Sequence, residues 1–132
     1  MSLSKASRRT AREMTTAERF AQVAQTDQTF ERRGPLWVGK CLICNGPIAF
    51  DARTGEGATL EHIRARSRGG TEELDNLALV HAACNHEKGH RWDQKRRRSL
   101  QDYETFIARL QERRLQRWRD PPPAAPDPWD QP

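Results

Sequence analysis

The chain has 132 residues, of which 35% are hydrophobic and 31% charged, with a formal net charge of +5 and a mean hydropathy of −0.97. That length suits one domain with extensions, and so little apolar surface excludes a large core, which makes a structural metal a natural staple. No run approaches about 18 apolar residues, which excludes a membrane span, and the N-terminal stretch lacks the apolar run of a secretory signal.

A cytoplasmic, reducing location follows as the expectation. The three cysteines, Cys41, Cys44 and Cys84, are then thiolate ligands rather than disulfide partners.

In chain order, residues 1–34 are a polar extension followed by a helix. Thr15 and Glu18 have capping-box spacing, which predicts a start near Thr16. Phe20, Val23, Ala24 and Phe30 supply its apolar stripe, and Gly34-Pro35 stops it. Residues 35–92 form the central unit. Short extended segments punctuated by Asn45-Gly46 and Gly55-x-Gly57 lead to an alternating run, Thr59 to Ile63, that reads as a strand. A polar loop from Arg64 to Asp75 surrounds Gly69-Gly70. Leu77 to Val80 is a second β-compatible run, although its composition also suits a helix. A short helix is predicted from about His81–Ala83 to Lys88-Gly89.

Residues 93–120 form a basic amphipathic C-terminal helix, with Ser99 and Asp102 at capping-box spacing and Leu100, Tyr103, Phe106, Ile107 and Leu110 at helical spacing. Residues 121–132 are a proline-rich tail, expected to be disordered. The charge is uneven: residues 90–119 hold ten Lys/Arg against four Asp/Glu, whereas the remainder holds 13 against 14. A phosphate-facing surface and a solvated helix face both produce that pattern.

Cys41-x-x-Cys44, followed by Asn45-Gly46, is a turn that brings two thiolates to one tetrahedral ion, and His81-x-x-Cys84 offers a second pair. The resulting Cys3His set predicts a structural zinc. His86 is an alternative donor to His81, but it follows Cys84 too closely to chelate comfortably beside it.

Between and after those pairs lie LEHIRARSRGGTEELDNLALV and HAACNHEKGHR. This stretch, about Cys41 to Arg91, resembles the HNH endonuclease family, whose motif runs from an acid-His-Ile, through Ser-Arg-Gly-Gly and Asn-Leu, to a cysteine pair, Asn or His, and Lys-Gly. The resemblance implies a small α+β fold: a ββα-metal (His-Me finger) core stapled by the structural zinc, with flanking N- and C-terminal helices.

It also implies phosphodiester hydrolysis of DNA, leaving a 5′-phosphate and a 3′-hydroxyl. His62 corresponds to the general base. Glu61 and Asn85 correspond to ligands of a catalytic divalent ion, and Asn76 to the residue that bonds across the loop and holds the histidine. A carboxylate and an amide oxygen are hard donors, which suit Mg²⁺ or Mn²⁺.

Arg66, Arg68, Lys88 and Arg91 are candidate DNA contacts; His90 receives no role. Two departures from the common pattern stand out: Glu61 replaces the usual aspartate, and His81 replaces the first cysteine of the second pair. The rival reading is a non-catalytic, zinc-stabilised nucleic-acid-binding module, which needs the thiolates but not Glu61, His62 or Asn85. The C-terminal helix could also dock a partner protein or a second copy, in a phage or restriction context.

Overall fold

The computed structural model describes residues 14–94 and 99–123. The polar N-terminal extension and most of the proline-rich tail lie outside them. The elements are α1 (Thr16–Gln25), β1 (Glu31–Arg33), β2 (Leu36–Lys40), β3 (Pro47–Asp51), β4 (Thr59–His62), β5 (Leu77–Val80), α2 (Ala82–Lys88) continued by a π-helical turn (Gly89–Asp93), and α3 (Leu100–Gln116). Two antiparallel sheets result, β1-β2-β3 and the hairpin β4-β5.

Thr15 caps α1 by accepting from the Glu18 backbone N–H at 3.1 Å, as the capping-box spacing predicts. The helix then ends at Gln25 rather than Gly34. Asp27 explains the difference, because its Oδ1 accepts from both the backbone N–H and the hydroxyl of Thr29 and folds the chain into a turn. Phe30 therefore belongs to that turn. Gly34-Pro35 is the bend of the β1–β2 hairpin, so the boundary expected there cuts a continuous sheet.

The strand β5 organises the interior. All four of its residues are buried, and alternation sends Leu77 and Leu79 to one face, Ala78 and Val80 to the other. The first pair packs with Phe20 and Val23 from α1, Phe30 from the turn after it and Phe50 from the larger sheet. The second packs with Cys41, Leu42, Ile63, Tyr103 and Ile107. A two-sided buried strand reads as a continuous apolar run, which is why Leu77–Val80 lacks a strand's alternation in the sequence.

Both flanking segments thus enter the same two cores as residues 35–92. Among the described residues, no helix is long and apolar enough to cross a membrane.

The helix α3 begins where its sequence predicts, with Ser99 Oγ accepting from the Asp102 N–H at 3.0 Å. Four arginines at its C-terminal end and just beyond it, however, turn to the backbone rather than form a phosphate-facing stripe. Arg114 is 1% exposed and donates to the carbonyls of Leu77, Thr26 and Leu74 at 2.9–3.1 Å. Arg113 donates to the Leu42 and Ile43 carbonyls, Arg117 to the Lys40 carbonyl, and Arg119 to that of Gln25. Each donates to backbone carbonyls in turns or at the ends of strands and helices. These four arginines therefore brace the fold, Arg109 is exposed, and the run 95–98, which holds four of the ten local cations, lies outside the described residues.

Candidate metal centres and catalytic site

The sulfurs of Cys41, Cys44 and Cys84 and a ring nitrogen of His81 all lie within 4.8 Å of one another. His81 Nδ1 is 3.3 Å from Cys44 Sγ and 3.8 Å from Cys84 Sγ. Bonds of about 2.3 Å to sulfur and about 2.1 Å to nitrogen give tetrahedral S···N edges of similar length. The other ring nitrogen, Nε2, sits 2.9 Å from the Pro47 carbonyl. That partner makes Nε2 the donor and leaves the Nδ1 lone pair facing the thiols.

Gly46 completes the turn. Its N–H lies 3.4 Å from Cys44 Sγ, and a Cβ there would crowd the same sulfur at 3.3 Å. The N–H of Gly46, above all, lowers the Cys44 thiol to about 7, whereas burial, then the neighbouring Cys41, pushes Cys84 up to about 12. Three thiols in one place repel as thiolates, and a divalent cation relieves that repulsion. The donor set fits zinc, with His81 rather than His86 as the fourth member.

Glu61 and His62 occupy the end of β4, where adjacent side chains point to opposite faces. The register pairs Glu61 with Ala78 and His62 with Leu77, so Glu61 faces α2 and His62 faces the α1 side. Glu61 Oε2 is buried with no hydrogen bond among the described residues, 3.4 Å from the Lys88 ammonium. Burial raises the Glu61 carboxyl above its usual range, and Lys88 opposes the shift. Asn85 lies on the same face, its Nδ2 3.5 Å from the Thr59 hydroxyl. A buried carboxylate oxygen without such a partner, on the strand face that Asn85 approaches, is a donor type that suits a hard divalent ion.

Lys88 departs from its expected place at a phosphate. It is 2% exposed and donates to the His62 carbonyl at 3.1 Å and to Asp93 at 2.8 Å. A stem long enough to reach under β4, plus two carboxylates there, draws it inward. Asp93 also accepts from the Tyr103 hydroxyl at 3.1 Å, which ties α3 to the site.

On the other face, His62 Nε2 is 2.8 Å from Glu72 Oε1. Glu72 is also paired with Arg19 of α1 and, at 3.6 Å, with Arg66. Its carboxyl is held below the usual range, chiefly by the His62 contact. Asn76 does not meet the His62 ring. Its Oδ1 accepts from the Arg64 N–H, and its Nδ2 donates to the Arg64 and Thr71 carbonyls. It thereby closes the loop that delivers Glu72. Gly70 is required at the same closure, since a Cβ there would lie 1.7 Å from the Arg64 carbonyl oxygen.

Among the remaining candidate DNA contacts, Arg68 stacks over Tyr103 at 4.7 Å and donates to the Asp93 carbonyl. Arg66 and Arg91 are exposed. Glu72, Asp93 and Tyr103 have no signal in the sequence alone: Glu72 is one of two adjacent glutamates, and only the loop's path selects it.

Residues 41–91 match the family model described as HNH endonuclease. No curated protein and no solved structure matches the chain.

Proposed function

We propose that this chain, whose residues 41–91 match the HNH endonuclease family model, is a metal-dependent endonuclease that hydrolyses DNA phosphodiester bonds. The observation that carries the reading is the division of labour across β4. On the α2 side lies a buried carboxylate oxygen of Glu61 with no hydrogen bond among the described residues, on the same strand face as the Thr59 hydroxyl that Asn85 approaches, and on the other side stands an imidazole held by Glu72.

Glu61 and Asn85 would hold Mg²⁺ or Mn²⁺, and a bound ion supplies Lewis-acid stabilisation of the phosphate and the departing 3′ oxygen. The residues of the chain do the rest. Glu72 accepts from His62 Nε2–H, so the neutral ring presents Nδ1 as its acceptor. Nδ1 takes a proton from water as the water oxygen attacks phosphorus. Glu72 then steadies the imidazolium by its charge. Lys88 opposes the burial that raises the Glu61 carboxyl. Cys41, Cys44, His81 and Cys84 hold a zinc that fixes the turn before β3 against the start of α2. Exposed Arg66 and Arg91 meet phosphates.

Supercoiled plasmid incubated with the untagged chain tests this. Nicked circles should form with Mg²⁺ or Mn²⁺ and not with EDTA. Binding of the plasmid without nicking under either ion would instead support a non-catalytic zinc-stabilised DNA-binding module.

A further inference from the structure

The segment His86-Glu87-Lys88-Gly89-His90 sets two imidazoles four residues apart beside the catalytic groups, and neither belongs to the zinc set or to the proposed catalytic pair. Residues at i and i+4 share a helix face. His86 lies in α2 and His90 in its π-helical continuation. Their rings are parallel within 4°, with centroids 6.5 Å apart, and both side chains are exposed. Together they border a cleft of about 410 Å³ whose wall includes Thr59, Asn85 and Gln94.

We propose that His86 and His90 form a two-imidazole site for a borderline transition ion such as Zn²⁺, Ni²⁺ or Cu²⁺, with water completing its coordination. An i, i+4 histidine pair on a helix is a chelate by construction, because small side-chain rotations turn one nitrogen of each ring toward a shared ion. The ring separation leaves room for an ion between them. Imidazole favours zinc, copper and nickel, whereas the oxygen donors Glu61 and Asn85 favour Mg²⁺ or Mn²⁺. Two neighbouring sites therefore select different ions by donor chemistry alone.

Spacing of this kind with an intervening glutamate also occurs in metalloproteases, where the glutamate acts as base. Here Glu87 is exposed and paired with Arg91 at 3.3 Å, away from the cleft. Among the described residues, no third thiol, carboxylate or imidazole joins the pair. The site is a binding site at the rim of the cleft. An ion held there adds positive charge beside Asn85, on the path a phosphate would take.

Calorimetric titration of the untagged, zinc-loaded chain with Ni²⁺ tests the proposal. One further equivalent of Ni²⁺ should bind to the unchanged chain and to Glu61→Gln/Asn85→Ala, and none to His86→Ala/His90→Ala, whose far-ultraviolet circular dichroism should match the unchanged chain. No binding by the unchanged chain, or equal binding by the double histidine variant, would overturn it. So would loss of binding in Glu61→Gln/Asn85→Ala, which would assign the ion to the oxygen donors. None of these outcomes bears on Mg²⁺-dependent nicking, which is measured without nickel.

Discussion

The dipeptide Glu61-His62 places an acid and a base on opposite faces of a strand end, and each depends on one neighbour. Glu72 is the neighbour of His62. Replacing it with Gln keeps the shape and offers a neutral oxygen or an amide N–H in place of the charge. Glu72→Gln should lower the nicking rate constant about 10–100-fold with little change in DNA affinity. Glu72→Asp should recover part of that loss, which a merely structural contact would not require. An unchanged rate constant would remove Glu72 from the mechanism.

Lys88 is the neighbour of Glu61, and its ammonium lies between Glu61 and Asp93. Lys88→Met leaves two buried carboxylates without their cation, so unfolding in urea should show a loss of about 3–5 kcal/mol. A loss below about 1 kcal/mol would mean that the pair is solvated and weak.

At the scale of elements, the sequence carries the metal and catalytic motifs more clearly than the contacts that support them. Cys41, Cys44, His81 and Cys84 were legible because chelation imposes spacing on the chain itself. The caps at Thr15 and Ser99 were legible because a cap is a local bond. Three features were not. The turn after α1 depends on Asp27 binding Thr29, and the apolar stripe ran past it to Phe30. The inward course of Lys88 depends on where Asp93 comes to lie. Arg113, Arg114, Arg117 and Arg119 look like part of a basic stripe until the backbone carbonyls they bond are in place.

The zinc turn is the element with the clearest dependence on one ion. Cys41 and Leu42 are buried in the second core beside Ile63 and Ile107, so metal loss should loosen that core as well as the turn. Chelation of the zinc, or Cys84→Ala, should lower the thermal midpoint and weaken near-ultraviolet circular dichroism, and re-addition of Zn²⁺ should restore both in the unchanged chain. A chelated protein with an unaltered midpoint would contradict the staple.

For the molecule as a whole, the family match at 41–91 is smaller than the folded unit. Phe20 and Tyr103 lie outside the match yet fill the two cores on either side of β5. Arg64 and Glu104 join the loop between β4 and β5 to α3 through two bonds of 2.6 Å.

Ion pairs and turns of this kind set the pH response. Asp51, Glu72 and Glu104 are all held below their usual values of 3.8, 4.5 and 4.5: Asp51 first by the Arg53 N–H, Glu72 by His62, and Glu104 by Arg64. A folded value below the unfolded one contributes stability that is present above the unfolded value and lost as pH falls through the folded one. Glu61 has the opposite sign, its contribution being lost as pH rises through its raised value. With three lowered carboxyls against one raised, the urea midpoint should fall as pH drops below about 4.5. A midpoint that rose across that range would show that burial of Glu61 dominates.

If His62 is the base of a DNA-cleaving site, the first-order nicking rate constant of His62→Ala in saturating Mg²⁺ or Mn²⁺ should show it. The variant should bind zinc and plasmid as the unchanged chain does, while its rate constant falls about 10²–10⁴-fold. A folded His62→Ala protein that nicks at the unchanged rate would exclude His62 as the base.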